Sequence, residues 1–124
     1  MSKSKARKIV VIDDSSEIGE LVCAAAARVN INCTATFRVD EFLAALSEET
    51  DLIVMDIKMP EMNGRELLAL LAVQHCGARI VLMSGVGRVV LAEVASYGNS
   101  LGLIMAGILP KPFRVAELIA IFTQ

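Results

Sequence analysis

The chain has 124 residues, three cysteines, one histidine and a net charge of −2 from twelve basic and fourteen acidic side chains. That length is one domain's worth and suffices for one continuous core. The near balance of charge leaves no whole-chain footprint for nucleic acid, and no apolar run approaches the roughly 18 residues of a membrane span. The basic start, residues 1–8, leads into no apolar signal core, so it is not a secretory signal and a cytoplasmic location is expected.

Taken in chain order, short apolar runs alternate with helical patterns. Residues 9–12 predict a buried strand, and Ile18, Leu21, Val22, Ala25 and Val29 then recur at helical spacing. Residues 32–37 predict a second strand, and Phe42, Ala45 and Leu46 mark a short helix. Residues 52–55 predict the third strand, followed by a loop containing proline and glycine and a helix carrying Leu67, Leu68 and Leu71. Residues 80–83 form the fourth run, ahead of a helix with Leu91, Val94 and Ala95. Residues 104–109 form the fifth, and Val115, Leu118, Ile119 and Phe122 outline a last amphipathic helix. Five βα units in succession predict an α/β fold, a parallel sheet with right-handed crossovers and helices on both faces. The hydrophobic fraction of 55% suits it, because strands covered on both faces are unbroken apolar runs. The flavodoxin-like strand order 2-1-3-4-5 is the simplest solution at this length. The chain stops at Gln124 soon after the last helix begins, which suggests one domain, residues 1–124, of a longer protein.

The polar residues that end the strands carry the chemistry. The first run ends in Asp13-Asp14, the third in Asp56, the fourth in Ser84 and the fifth in Pro110-Lys111-Pro112. In an open α/β sheet, ligands sit in the crevice beyond the strands' carboxyl ends, so the fold gathers three carboxylates, a hydroxyl and an ammonium there. Crowded carboxylates repel, more so in apolar surroundings. A hard divalent cation relieves the repulsion, and Mg2+ suits one or two carboxylates with waters and a phosphate. One carboxylate can then act as a nucleophile while the metal and Lys111 neutralise the transferred group. Each piece alone is commonplace. Asp14 with Glu17 three residues on fits a capping box, Ser84-Gly85 an ordinary turn, Lys111 a solvated lysine, and Asn63-Gly64 loop punctuation. Cys23, Cys33 and Cys76 share no metal or redox spacing and read as buried reduced thiols. His75 reads as a helix-end residue.

The segments Val11-Ile12-Asp13-Asp14-Ser15, Asp56-Ile57-Lys58-Met59-Pro60 with Asn63-Gly64, Met83-Ser84-Gly85 and Lys111-Pro112-Phe113 together resemble the receiver domains of two-component response regulators, across essentially the whole chain. The resemblance implies that Asp56 is the phosphoacceptor, that Asp14 binds Mg2+ directly, and that Asp13 acts mainly through a metal-bound water. It further implies that the main-chain carbonyl of Lys58 completes the protein ligands, that Ser84 and Lys111 contact the phosphoryl group, and that the Lys111–Pro112 bond is cis. The implied partners are a sensor histidine kinase or a histidine phosphotransfer protein, a C-terminal output domain, and a second copy across a face of the fourth helix, fifth strand and last helix. Neither nucleic acid nor membrane is an expected partner of this domain. The stretch from Ser84 to Phe113 also resembles receivers fused to cyclic-di-GMP phosphodiesterase (EAL) domains. Two departures stand out. Ile108 occupies the position three before the lysine where receivers carry Phe or Tyr, and the interval from Ser84 to Lys111 is about five residues longer than usual, an excess assigned to the fourth helix and the start of the fifth strand.

Three rival readings follow from the same residues. A pseudo-receiver would keep the fold only for binding or dimerisation. A phosphohydrolase of the haloacid dehalogenase type needs an acid two residues after its nucleophile, where this chain has Lys58. A nucleotide-binding flavodoxin-like protein needs glycines in the first βα loop, which is acidic here.

Overall fold

The structure is a computed structural model that describes residues 8–124; nearly all of the basic stretch at residues 1–8 lies outside the described residues. Five strands, β1 (Lys8–Ile12), β2 (Asn32–Thr36), β3 (Leu52–Asp56), β4 (Arg79–Ser84) and β5 (Ile104–Pro110), alternate with five helices. These are α1 (Ser16–Arg28), α2 (Val39–Ala45), α3 (Gly64–Val73), α4 (Arg88–Ser100) and α5 (Val115–Phe122). The strands form one parallel sheet in the order β2-β1-β3-β4-β5, the flavodoxin-like arrangement that the sequence predicts.

Side chains alternate between the faces of a strand, and this divides the core in two. Val10, Ile12, Ile53, Met55, Ile80 and Leu82 pack on one face with Phe42, Leu67, Leu71 and Leu91 of the helices α2, α3 and α4. Ile9, Val11, Leu52, Val54, Val81 and Met83 pack on the other with Val22, Ala25, Leu118 and Phe122 of α1 and α5. Each fully buried Leu, Ile or Phe among them contributes about 1.5–3 kcal/mol relative to exposure. The central strand β3 is buried throughout, while β2 and β5 form the edges. Pro110 lies on the β5 edge opposite Ser84, where a missing N–H breaks no interior ladder. At the start of β5, Ile80 faces Met105 and Val81 faces Gly107, leaving Ala106 as a bulge.

The helix ends correct two local readings. Asp14 does not cap α1: Ser15 is the N-cap, and its side chain accepts from the Ile18 amide at 3.5 Å. Starting the helix one residue later leaves both aspartates to the crevice. Asn63 is more than punctuation, since its side chain accepts from the Glu66 amide at 2.9 Å while the Glu66 carboxylate accepts from the Asn63 amide at 3.0 Å. That reciprocal pair is a full capping box for α3. His75 does sit at a helix end, at φ 57° just beyond α3. The cysteines are free but only half-buried, because Cys23 lies on the flank of α1 and Cys33 on the edge strand β2.

Candidate functional site

The site is built at the carboxyl ends of β1, β3, β4 and β5. Asp13 directly follows β1 and Asp56 is the last residue of β3, and both are buried. Asp14 is exposed at the crevice mouth. One carboxylate oxygen from each of the three lies within 4.8 Å of the others.

Short local bonds orient two of these carboxylates. Asp13 Oδ1 accepts from the Ser15 amide at 2.8 Å, and Asp56 Oδ1 accepts from the Lys58 amide at 3.1 Å. The other oxygen of each faces Lys111, whose Nζ stands 2.8 Å from Asp13 Oδ2 and 3.5 Å from Asp56 Oδ2. Lys111 is held in turn from β4, its amide donating to the Ser84 carbonyl at 2.8 Å. The Lys111–Pro112 peptide is cis, as the resemblance implies. Ser84 is buried, and its hydroxyl accepts from the Val86 amide at 3.2 Å. The structure thus brings Asp13, Asp14, Asp56, Ser84 and Lys111 to one crevice.

Lys58 extends it on the β3–α3 side. Asp14, Ile57, Lys58, Met59, Pro60 and Asn63 line one open cleft. An isolated bridge between Lys58 and Asn63 and a bond from the Gly64 amide to the Ile57 carbonyl, 2.9 Å, pin that loop. Gly64 packs so closely that a Cβ there would lie 2.7 Å from the Ile57 Cβ. Glu61 was not singled out from sequence, yet its carboxylate accepts from the Val39 amide at 2.9 Å and ties the loop to α2. No local pattern marks that contact, which spans 22 residues.

Burial pushes the Asp56 carboxyl above the usual carboxylate range; the Lys58 amide opposes this, Asp13's like charge adds to it, and Lys111 opposes it. Burial would lower the Lys111 ammonium, but its bonds and charge interactions with Asp13 and Asp56 outweigh that and hold its pKa above the ordinary value. Three carboxylates against one ammonium leave the crevice short of positive charge. The donor set is hard oxygen, partly open to solvent, and a Mg2+ ion fits it.

The response regulator receiver domain family matches residues 9–123. The chain is 32% identical over 112 residues to the DNA-binding transcriptional regulator NtrC of Salmonella typhimurium, covering 90% of this chain and 23% of that protein. It is 30% identical over 115 residues to the transcriptional regulatory protein CpxR of Klebsiella pneumoniae, covering 91% of this chain and 46% of that one. The chain therefore spans less than half the length of these curated relatives. Among solved structures, a response regulator from Colwellia psychrerythraea superposes with a TM-score of 0.83 at 25% identity, covering 95% of this chain and 94% of that one. No helix among the described residues is long and apolar enough to cross a membrane. Receiver domains are the signalling phosphoacceptors of two-component systems, not enzymes acting on metabolites, and they bind Mg2+ at an acidic pocket. With that family matched over nearly all of its length and the acidic crevice in place, the chain belongs to the response regulator receiver domain family.

Proposed function

We propose that the domain takes a phosphoryl group from a phosphohistidine donor onto Asp56 and switches an output surface in response. The observation that carries the reading is the Lys111 ammonium standing between the Asp13 and Asp56 carboxylates, in a crevice that Asp14 opens to solvent. Asp56 Oδ2 attacks phosphorus in line, the P–O bond forms, and the P–N bond to the donor imidazole breaks. The Lys58 amide fixes Asp56 Oδ1 and leaves Oδ2 as the nucleophile. Lys111 pairs with the phosphoryl oxygens as they arrive, and the Ser84 hydroxyl turns from the Val86 amide toward them. Asp14 and Asp56 directly, Asp13 through water, and the Lys58 carbonyl would hold a Mg2+, which when bound neutralises charge on the transferred group.

The donor is a sensor histidine kinase or a histidine phosphotransfer protein, and the reading places the domain in the cytoplasm. A C-terminal output domain accords with NtrC and CpxR being longer than this chain. The α4–β5–α5 face is the proposed output or dimer surface, and it carries exposed Val89 and Ile104. A fusion to an EAL phosphodiesterase domain is the narrower proposal, resting on the segment from Ser84 to Phe113.

Intact mass spectrometry with acetyl phosphate and Mg2+ tests the central claim. One phosphoryl adduct should form, vanish on chelation and be absent from Asp56→Asn. Full labelling of that variant overturns the assignment, and no labelling of the wild type favours a pseudo-receiver, the reading that Ile108 in place of an aromatic ring supports.

A further inference from the structure

The helix α1 crosses directly over the edge strand β2. A Cβ built on Gly19 would lie 3.1 Å from the Ala35 Cβ and 3.5 Å from the Phe37 ring, so the two backbones approach closely there. Because α1 returns between two parallel strands, it runs opposite in direction to β2. Four residues along α1 from Gly19, about 6 Å, comes Cys23. Two residues back along β2 from Ala35, about 6.6 Å in the same direction, comes Cys33. The two displacements match, so the two thiols stand beside one another, close enough to perturb each other's ionisation. Both are free, half-buried and packed on the same apolar cluster, whereas Cys76 packs on the opposite face of the sheet.

We infer that Cys23 and Cys33 form a redox-modification site, a dithiol that hydrogen peroxide closes into an intramolecular disulfide clamping α1 to β2. The two sulfurs are not equivalent. The two thiols perturb each other's ionisation, lowering Cys23 and, with burial, raising Cys33. Cys23, on the flank of α1, is also the less enclosed of the two, which makes it the attacking thiolate and Cys33 the resolving thiol. The Cys23 thiolate attacks one peroxide oxygen, the O–O bond breaks, and the departing hydroxide takes a proton, leaving a sulfenic acid. Cys33 sulfur then attacks Cys23 sulfur and gives up its proton, the S–O bond breaks, and the hydroxyl leaves as water. The two thiols lose two hydrogens and two electrons, and the peroxide is reduced to two waters. None of these steps involves Asp13, Asp56 or Lys111, so the site stands apart from the phosphoacceptor reading.

The test treats the reduced full chain with hydrogen peroxide, blocks remaining thiols with iodoacetamide and maps peptides by mass. Cys23 and Cys33 should lose alkylation together and yield one cross-linked peptide pair lighter by two hydrogens, with Cys76 still alkylated. The melting temperature should rise by roughly 5–10 °C and fall back with dithiothreitol. In Cys33→Ser the sulfenic acid should persist on Cys23 and be trapped by dimedone. The inference is overturned if Cys23 and Cys33 stay alkylated, oxidise separately to sulfinic acids, or cross-link only between chains.

Discussion

The ammonium of Lys111 sits nearer to Asp13 than to Asp56, 2.8 Å against 3.5 Å. Asp13 is therefore the lysine's nearer anchor in the unphosphorylated domain, and Asp56 is left with the weaker hold that the proposed nucleophile needs. The same geometry makes Lys111 the counterion of two buried carboxylates, and its removal strands both. Lys111→Met should lower metal-free stability by about 2 kcal/mol, below the full cost of breaking a buried pair because Lys111 is partly solvated. Urea melts in chelator read this. Millimolar Mg2+ should recover part of the loss, since a bound cation supplies the missing charge; no recovery would mean the carboxylates do not share one cation site.

Charge counting alone makes Asp13→Ala stabilising in the absence of metal, by about 1 kcal/mol or more. Asp13, however, also accepts the Ser15 amide and anchors Lys111, and those losses offset the relief. Asp14 is exposed and lies in the same cluster. Asp14→Asn should therefore give the larger metal-free gain, about 1 kcal/mol from one carboxylate repulsion in a largely aqueous setting, while weakening Mg2+ binding. Paired melts of the two variants in chelator decide the order.

Gly64 leaves no room for a side chain against Ile57. Gly64→Ala must shift α3 or the loop that carries Lys58, and about 2 kcal/mol of destabilisation is expected. Because that loop lines the cleft with Asp14, Mg2+ affinity measured by calorimetry should fall as well. An unchanged melting curve would show that the loop relaxes freely.

The lifetime of the phosphoryl group depends on groups that could orient a hydrolytic water. Lys58 and Val86 are both exposed, and neither offers a carboxamide or carboxylate. Beside them, a Cβ on Gly85 would meet nothing within 4 Å, which leaves the group open to a partner. Slow self-dephosphorylation is expected, with Lys58→Asn accelerating it. The decay of radiolabelled protein measures both rates, and slower decay in the variant contradicts this account.

Ile108 lies beside Leu82 in the sheet and packs partly buried on the α4 side of the core. It is β-branched, stiff at χ1, and cannot repeat the movement of an aromatic ring. Ser84 has another outlet. Its hydroxyl accepts from the Val86 amide, and the loop beyond runs through Gly87 at φ 105° into α4, which has no side-chain cap. In the proposed mechanism, turning Ser84 toward a phosphoryl group would break that bond and free the loop. Amide exchange with beryllium fluoride and Mg2+ should change protection across residues 86–105. Changes confined to the crevice would exclude this route.

Much of this molecule was decided locally. The strands β1, β3 and β4 are buried on both faces, so they had to be continuous apolar runs, and the residues ending them had to be the ones at the crevice. Strand order followed from five βα units and the handedness of their crossovers. The helix starts were less legible, because Asp14, Ser15 and Asn63 all have the short polar side chains that cap, and only the backbone path selects among them. Tertiary structure alone decided that Lys111, 98 residues from Asp13, prefers it over Asp56, that Glu61 holds α2, and that Cys23 meets Cys33. Those relationships depend on the registers of helix over strand and strand beside strand. Periodicity along the chain reports which face a residue takes, but not how far one element has slid along another.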